Sequence, residues 1–128
     1  MKNRFILRVL LVGALVVQTL LPAFAAAPAL KILSASPKGK LYAGGRYPVS
    51  VSFNQPVAAL GEKAEFSSAD CPIIISPKIK GSCRYSGTQT VLFEPAENWP
   101  EATAYSVTVP AGFKSAVSGK SLAQNYIF

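Results

Sequence analysis

The feature that most constrains this chain is a two-residue alternation of apolar and polar side chains, recurring in short runs separated by turn residues. In RYPVSVSF (46–53), Tyr47, Val49, Val51 and Phe53 share one parity, and Arg46, Pro48, Ser50 and Ser52 share the other. Successive side chains of an extended backbone leave opposite faces, so this pattern predicts a half-buried strand. Pro48 has no N–H to offer a ladder and belongs near the start of that strand or on an edge. TVLFEP (90–95) and YSVTVPAG (105–112) follow the same logic, with Val91 and Phe93, then Tyr105, Val107 and Val109, facing inward.

Between these runs, PIIISPKI (72–79) is a continuous β-branched stretch and SCRYSG (82–87) another short strand. Residues 30–34 give the first strand, and NYIF (125–128) begins the last, which reads as truncated. Turn chemistry falls between them at SPKGK, AGG, FNQP, KGS, SGT, PAEN, PAG and SGK. Only ALGEKAEF (59–66) has the makings of a helical turn. About seven short strands at this spacing predict an all-β Greek-key sandwich.

The first 25 residues stand apart. Lys2, Arg4 and Arg8 precede the apolar run VLLVGALVV, and Ala23 and Ala25 flank Phe24 in an A-x-A pattern. Charged start, apolar centre and small-residue end are the parts of a cleavable secretory signal peptide. The expected division is a signal peptide over 1–25 and one β-sandwich domain over 26–128, with cleavage after Ala25. The apolar run is shorter than the roughly 20 residues a spanning helix requires, so no stable membrane insertion is expected after cleavage. The predicted location is exported, in the periplasm or at the cell surface.

Loss of the signal leaves ten basic against six acidic side chains, a net charge of +4. Lys38, Lys40, Lys63, Lys78, Lys80, Lys114 and Lys120 are scattered through predicted turns. Without a basic stripe interleaved with exposed aromatics, nucleic acid is not an expected partner.

The chain has no histidine, which removes the commonest general base and the commonest zinc ligand. Glu62, Glu65, Asp70, Glu94, Glu97 and Glu101 fall in predicted loops or strand ends, where solvated carboxylates are ordinary. The spacing of Glu94, Glu97 and Glu101 matches no calcium-loop motif, and no phosphate-cradling glycine motif occurs. No catalytic residue, metal or cofactor is expected, and the chain does not read as an enzyme.

Cys71 and Cys83 are the only soft ligands or nucleophiles. An even count in an exported chain suits a disulfide. If their segments are neighbouring antiparallel strands, the midpoint at Pro77 is a plausible turn and the two Cβ atoms face each other. Two buried free thiols are the alternative.

Tyr105, preceded by Trp99 and Pro100 and opening an alternating strand, suits a tyrosine corner, in which the ring packs inward and the hydroxyl bonds the upstream backbone. A tyrosine simply packed in a strand is the other reading. Tyr42, Tyr85 and Trp99 are candidate surface aromatics for stacking on a sugar, or else core-packing rings.

The segments VSVSFNQPV (49–57), ISPKIKGSCRYSGTQTVLFEP (75–95) and WPEATAYSVTVPAGFKSAVSGKSL (99–122) together resemble the bacterial Ig-like domain of the S-layer type, and more closely the N-terminal Ig-like domain of bacterial alpha-2-macroglobulins. The resemblance covers about residues 30–128. It implies an Ig-like fold at the head of a large periplasmic protease inhibitor, with neighbouring domains of the same chain as partners and proteases reached through the full-length protein. The C-x-E-Q thioester motif and the bait segment of that family are not present in these residues, so no functional residue transfers. A cell-surface module for adhesion or glycan binding is the alternative function.

Overall fold

The computed structural model describes residues 25–61, 66 and 70–128. The expected signal segment up to residue 24, together with Glu62, Lys63 and Glu65, lies outside the described residues. Seven strands follow one another: β1 (Ile32–Ser36), β2 (Val49–Phe53), β3 (Ile74–Ser76), β4 (Gly81–Ser86), β5 (Thr90–Pro95), β6 (Ser106–Val109) and β7 (Tyr126–Ile127). They form two antiparallel sheets, one of order β1-β2-β5-β4 and the other of order β3-β6-β7. The expected all-β sandwich is the observed architecture.

Alternation decides what faces inward. In the larger sheet the register aligns Ala35, Val51, Val91 and Tyr85 in one row across four strands, and Val49, Phe93 and Cys83 in the next. All but the half-buried Tyr85 are buried, and the second sheet closes over them with Ile75, Val107 and Val109. The intervening residues point to solvent, where Ser52 and Thr90 share a hydroxyl hydrogen bond of 2.9 Å. Each fully buried aliphatic side chain contributes on the order of 1.5–3 kcal/mol, so these rows hold the layers together.

The chain ahead of β1 is tied to the turn that follows β2 and to the segment near Leu122. Leu30, 2% exposed, pairs in a parallel bridge with Leu122. Asn54 accepts from the Lys31 N–H at 2.8 Å and donates to the Ala29 carbonyl at 3.0 Å. The buried Gln55 donates to the Pro28 carbonyl and accepts from the Ser118 hydroxyl, both at 2.6 Å. Two adjacent amides read only as turn residues are thus the latch that fixes the domain's first residues.

Two expectations are corrected. The run 72–79 does not form one long strand: only Ile74–Ser76 pairs, with Ile73 and Ile75 buried and Ile74 53% exposed. Pro77, which cannot donate to a ladder, follows at once. Nor does the chain turn back on itself there. β3 pairs with β6 and β4 with β5, so residues 77–80 carry the chain from one sheet to the other rather than around a hairpin.

Candidate functional site

At the end of the sandwich where β2 begins, the two layers part around a cleft of about 770 Å³. Its floor is Val49 and Val107, both buried core residues. One wall is the β1–β2 connection with Leu41 and Tyr42, the other the β5–β6 connection from Trp99 to Tyr105, and Phe128 closes the side.

The walls are braced against each other. The Trp99 indole N–H donates to the Tyr47 carbonyl at 2.8 Å, and its backbone N–H donates to the Gly45 carbonyl at 3.1 Å. The Tyr105 ring meets the Trp99 ring edge-on, with centroids 4.8 Å apart. The Lys38 ammonium donates to the Tyr126 hydroxyl at 3.1 Å and stands 5.7 Å from the centre of that ring and 5.9 Å from that of Phe128. A cation held over aromatic faces adds roughly 0.5–1 kcal/mol at an exposed site, enough to pin the connection.

Lys38, Lys40, Tyr42, Glu101 and Thr103 supply the polar side chains of the rim. Lys38 donates to Tyr126, and the Thr103 hydroxyl donates to the Glu101 carbonyl at 2.9 Å. A sugar is recognised by convergent donors and acceptors as well as by a ring face. The cleft has an apolar floor and aromatic walls below that polar rim.

The named aromatics therefore separate. Tyr42, 88% exposed, stands at the lip. Trp99 lines the same cleft but is half-buried and committed through its only side-chain donor. Tyr85 does not line the cleft and rests on Phe66, ring centroids 4.1 Å apart. Tyr105 sits just ahead of β6 with its ring edge-on to Trp99, whose indole supplies the hydrogen bond to the upstream backbone in this region.

Cys71 and Cys83 form a disulfide, with Cα atoms 5.6 Å apart. Cys83 lies inward on β4, 1% exposed, and Cys71 lies in the connection ahead of β3, so the bridge ties that connection to the larger sheet. The expected geometry of two neighbouring strands is corrected accordingly; the pairing itself stands.

Among the described residues the carboxylates gather into no metal-holding cluster. Glu94 is in an ion pair with Arg84 at 2.8 Å, both side chains well exposed. Among the described residues no group of three His, Cys, Asp or Glu side chains is placed to hold a metal ion. No described helix is long and apolar enough to cross a membrane.

Strands β1, β2, β5 and β4 on one layer and β3, β6 and β7 on the other are the arrangement of a seven-strand immunoglobulin-type sandwich. A sequence profile of the bacterial Ig-like domain matches residues 26–128, and the chain belongs to that family. No curated protein and no solved structure gives a significant match. Domains of this family occur in extracellular bacterial proteins as structural modules and are generally non-catalytic.

Proposed function

We propose that this chain is an exported structural and interaction module, the leading Ig-like domain of an alpha-2-macroglobulin-like protease inhibitor. The observation that carries the exported, structural part is the Cys71–Cys83 disulfide, which staples the connection ahead of β3 to β4. Such a bridge persists in an oxidising compartment, and the basic-apolar-small order of residues 1–25 provides the route there. The inhibitor assignment is supported by the segments 49–57, 75–95 and 99–122 that resemble the head domain of that family. In this reading the domain touches proteases only through the whole inhibitor, and the apolar cleft faces neighbouring domains.

The test has two arms. Periplasmic fractionation with N-terminal sequencing of the product is expected to give a soluble chain beginning at Ala26; retention in the cytoplasm overturns export. Sequencing the gene beyond the codon for Phe128 is expected to reveal further β-domains and a C-x-E-Q motif. A stop codon there, or cell-wall anchoring repeats, overturns the inhibitor reading. The exposure of Tyr42 at the lip of the cleft favours a second reading, adhesion or glycan binding. That reading requires Tyr42→Ala to abolish a measurable sugar affinity.

A further inference from the structure

The cleft beside the start of β2 stays open because its two walls are held at a fixed spacing. Trp99, on one wall, is fastened to the other through its indole N–H, which donates to the Tyr47 carbonyl at 2.8 Å, and through its backbone N–H, which donates to the Gly45 carbonyl at 3.1 Å. Beyond Trp99 the side chains of that wall are small. Ala102 and Ala104 line the cleft, and Ala102 takes a left-handed φ of 50°, which an alanine adopts only at a cost. The result is a hollow of about 770 Å³, with Val49 and Val107 beneath it and Leu41, Trp99 and Phe128 around it. Small-molecule sites fall in the range of roughly 300–1,000 Å³. An apolar hollow that cannot close on itself gains by taking up an apolar body from water.

One edge of the hollow is cationic. The Lys38 ammonium is fixed there, donating to the Tyr126 hydroxyl at 3.1 Å and standing 5.9 Å from the centre of the Phe128 ring. An ammonium carries three donors and that hydroxyl takes one, so the others can meet an acid group at the rim. Lys40 follows on the same wall, exposed. The acidic side chain of the lining, Glu101, belongs to the opposite wall.

We propose that this cleft is a binding site for a free anionic amphiphile of the fatty-carboxylate class. The hydrocarbon chain lies along Leu41 and Phe128 above Val49 and Val107, and the carboxylate meets the Lys38 ammonium, with Lys40 adding to the field. The two lysines on one edge select an acid, and Glu101 across the cleft fixes which end of the ligand goes where. The hollow shape favours a small molecule over the face of another domain. This goes beyond the inhibitor reading, in which the cleft faces neighbouring domains, and it uses only groups between Lys38 and Phe128, so the two readings fail separately.

Trp99 is the chain's single tryptophan, and its emission reports on the cleft directly. The experiment titrates octanoate, below its micellar concentration, into the protein as purified from the cells that make it. A saturable change in Trp99 emission is expected, with a dissociation constant of millimolar order or tighter, the scale for a ligand of this size. Lys38→Met keeps the apolar stem and removes the charge. It is expected to weaken octanoate about 1.5- to 5-fold, as for an exposed ion pair, and to leave octanol, the same chain without the charge, unaffected. Ala104→Phe, at an exposed position, fills the cleft and is expected to weaken octanoate at least tenfold with an unchanged urea midpoint. Should that variant lose stability, Leu41→Ser on the facing wall decides in its place, with loss of affinity again expected. No saturable change, equal effects of Lys38→Met on octanoate and octanol, or an undiminished affinity in the cleft variant overturns the proposal. So does a Trp99 response to phosphatidylglycerol vesicles or to a sugar but not to octanoate, which assigns the cleft to a lipid surface or to the glycan reading.

Discussion

Single residues in this domain are constrained more by what they touch than by their own chemistry. A Cβ on Gly81 would run into the Phe93 ring and the Glu94 carbonyl, because β4 begins where β5 passes closest. Gly81→Ala is therefore an overpacking change, expected to lower stability by about 1–3 kcal/mol in urea unfolding. Trp99 works through one donor and one ring face, and Trp99→Phe keeps the face. The Tyr47 carbonyl then loses its partner, and about 1 kcal/mol of stability should go with it. Glu94→Gln tests the opposite case. The Arg84–Glu94 pair is exposed on both sides, with 40% and 47% of the side chains accessible, so a change of no more than about 0.5–1 kcal/mol is expected. A larger loss in a salt-independent measurement would assign that pair a structural role the geometry does not give it.

At the scale of the strand, alternation is the quantity to test. Val51 is fully buried on β2, while its neighbour Ser50 is on the opposite, partly exposed face of the strand. Val51→Ala is expected to cost about 2 kcal/mol and Ser50→Ala less than about 0.5 kcal/mol, both read from denaturant midpoints. Such alternation is why β2, β5 and β6 were legible in the sequence: each buries one face, and the pattern is written on consecutive residues. The run around Ile74 was not legible in length, because Ile73, Ile74 and Ile75 carry no polar beat to show which one faces solvent. Its destination was hidden for a different reason. Whether residues 77–80 turn back or cross to the other sheet is decided by the partners of β3 and β4, which are β6 and β5, and a local window contains neither. The same limit hid the cleft. Leu41, Tyr105 and Phe128 come from three separate stretches, and nothing in any one of them signals that the other two stand beside it. Asn54 and Gln55 sit in a recognisable turn, yet their work is done on Pro28, Ala29 and Ser118, beyond the reach of turn chemistry.

The whole molecule is a small sandwich held by the packing of its layers and by one covalent staple between β4 and the connection ahead of β3, and the two contributions can be separated. With a sequence separation of 12, the bridge closes a loop whose entropic restriction of the unfolded chain is worth about 3 kcal/mol. That is a large share of the 5–15 kcal/mol by which domains of this class are folded at all. Reduced protein is accordingly expected to unfold at a markedly lower urea concentration than oxidised protein, with a melting temperature lower by roughly 12–24 °C for a domain near 100 residues. Because Cys83 sits 1% exposed between the layers, the cost has a second source. The two sulfurs released by reduction have to be repacked in a site shaped for a bridge. The two sources are told apart by Cys71→Ala/Cys83→Ala, which removes the cross-link and the thiols together. If chain entropy dominates, the double variant and the reduced protein lose nearly the same stability. If repacking dominates, they differ by more than about 1 kcal/mol, the scale of a core volume change. A difference smaller than that, with free-thiol titration confirming complete reduction, assigns the staple's effect to the unfolded chain.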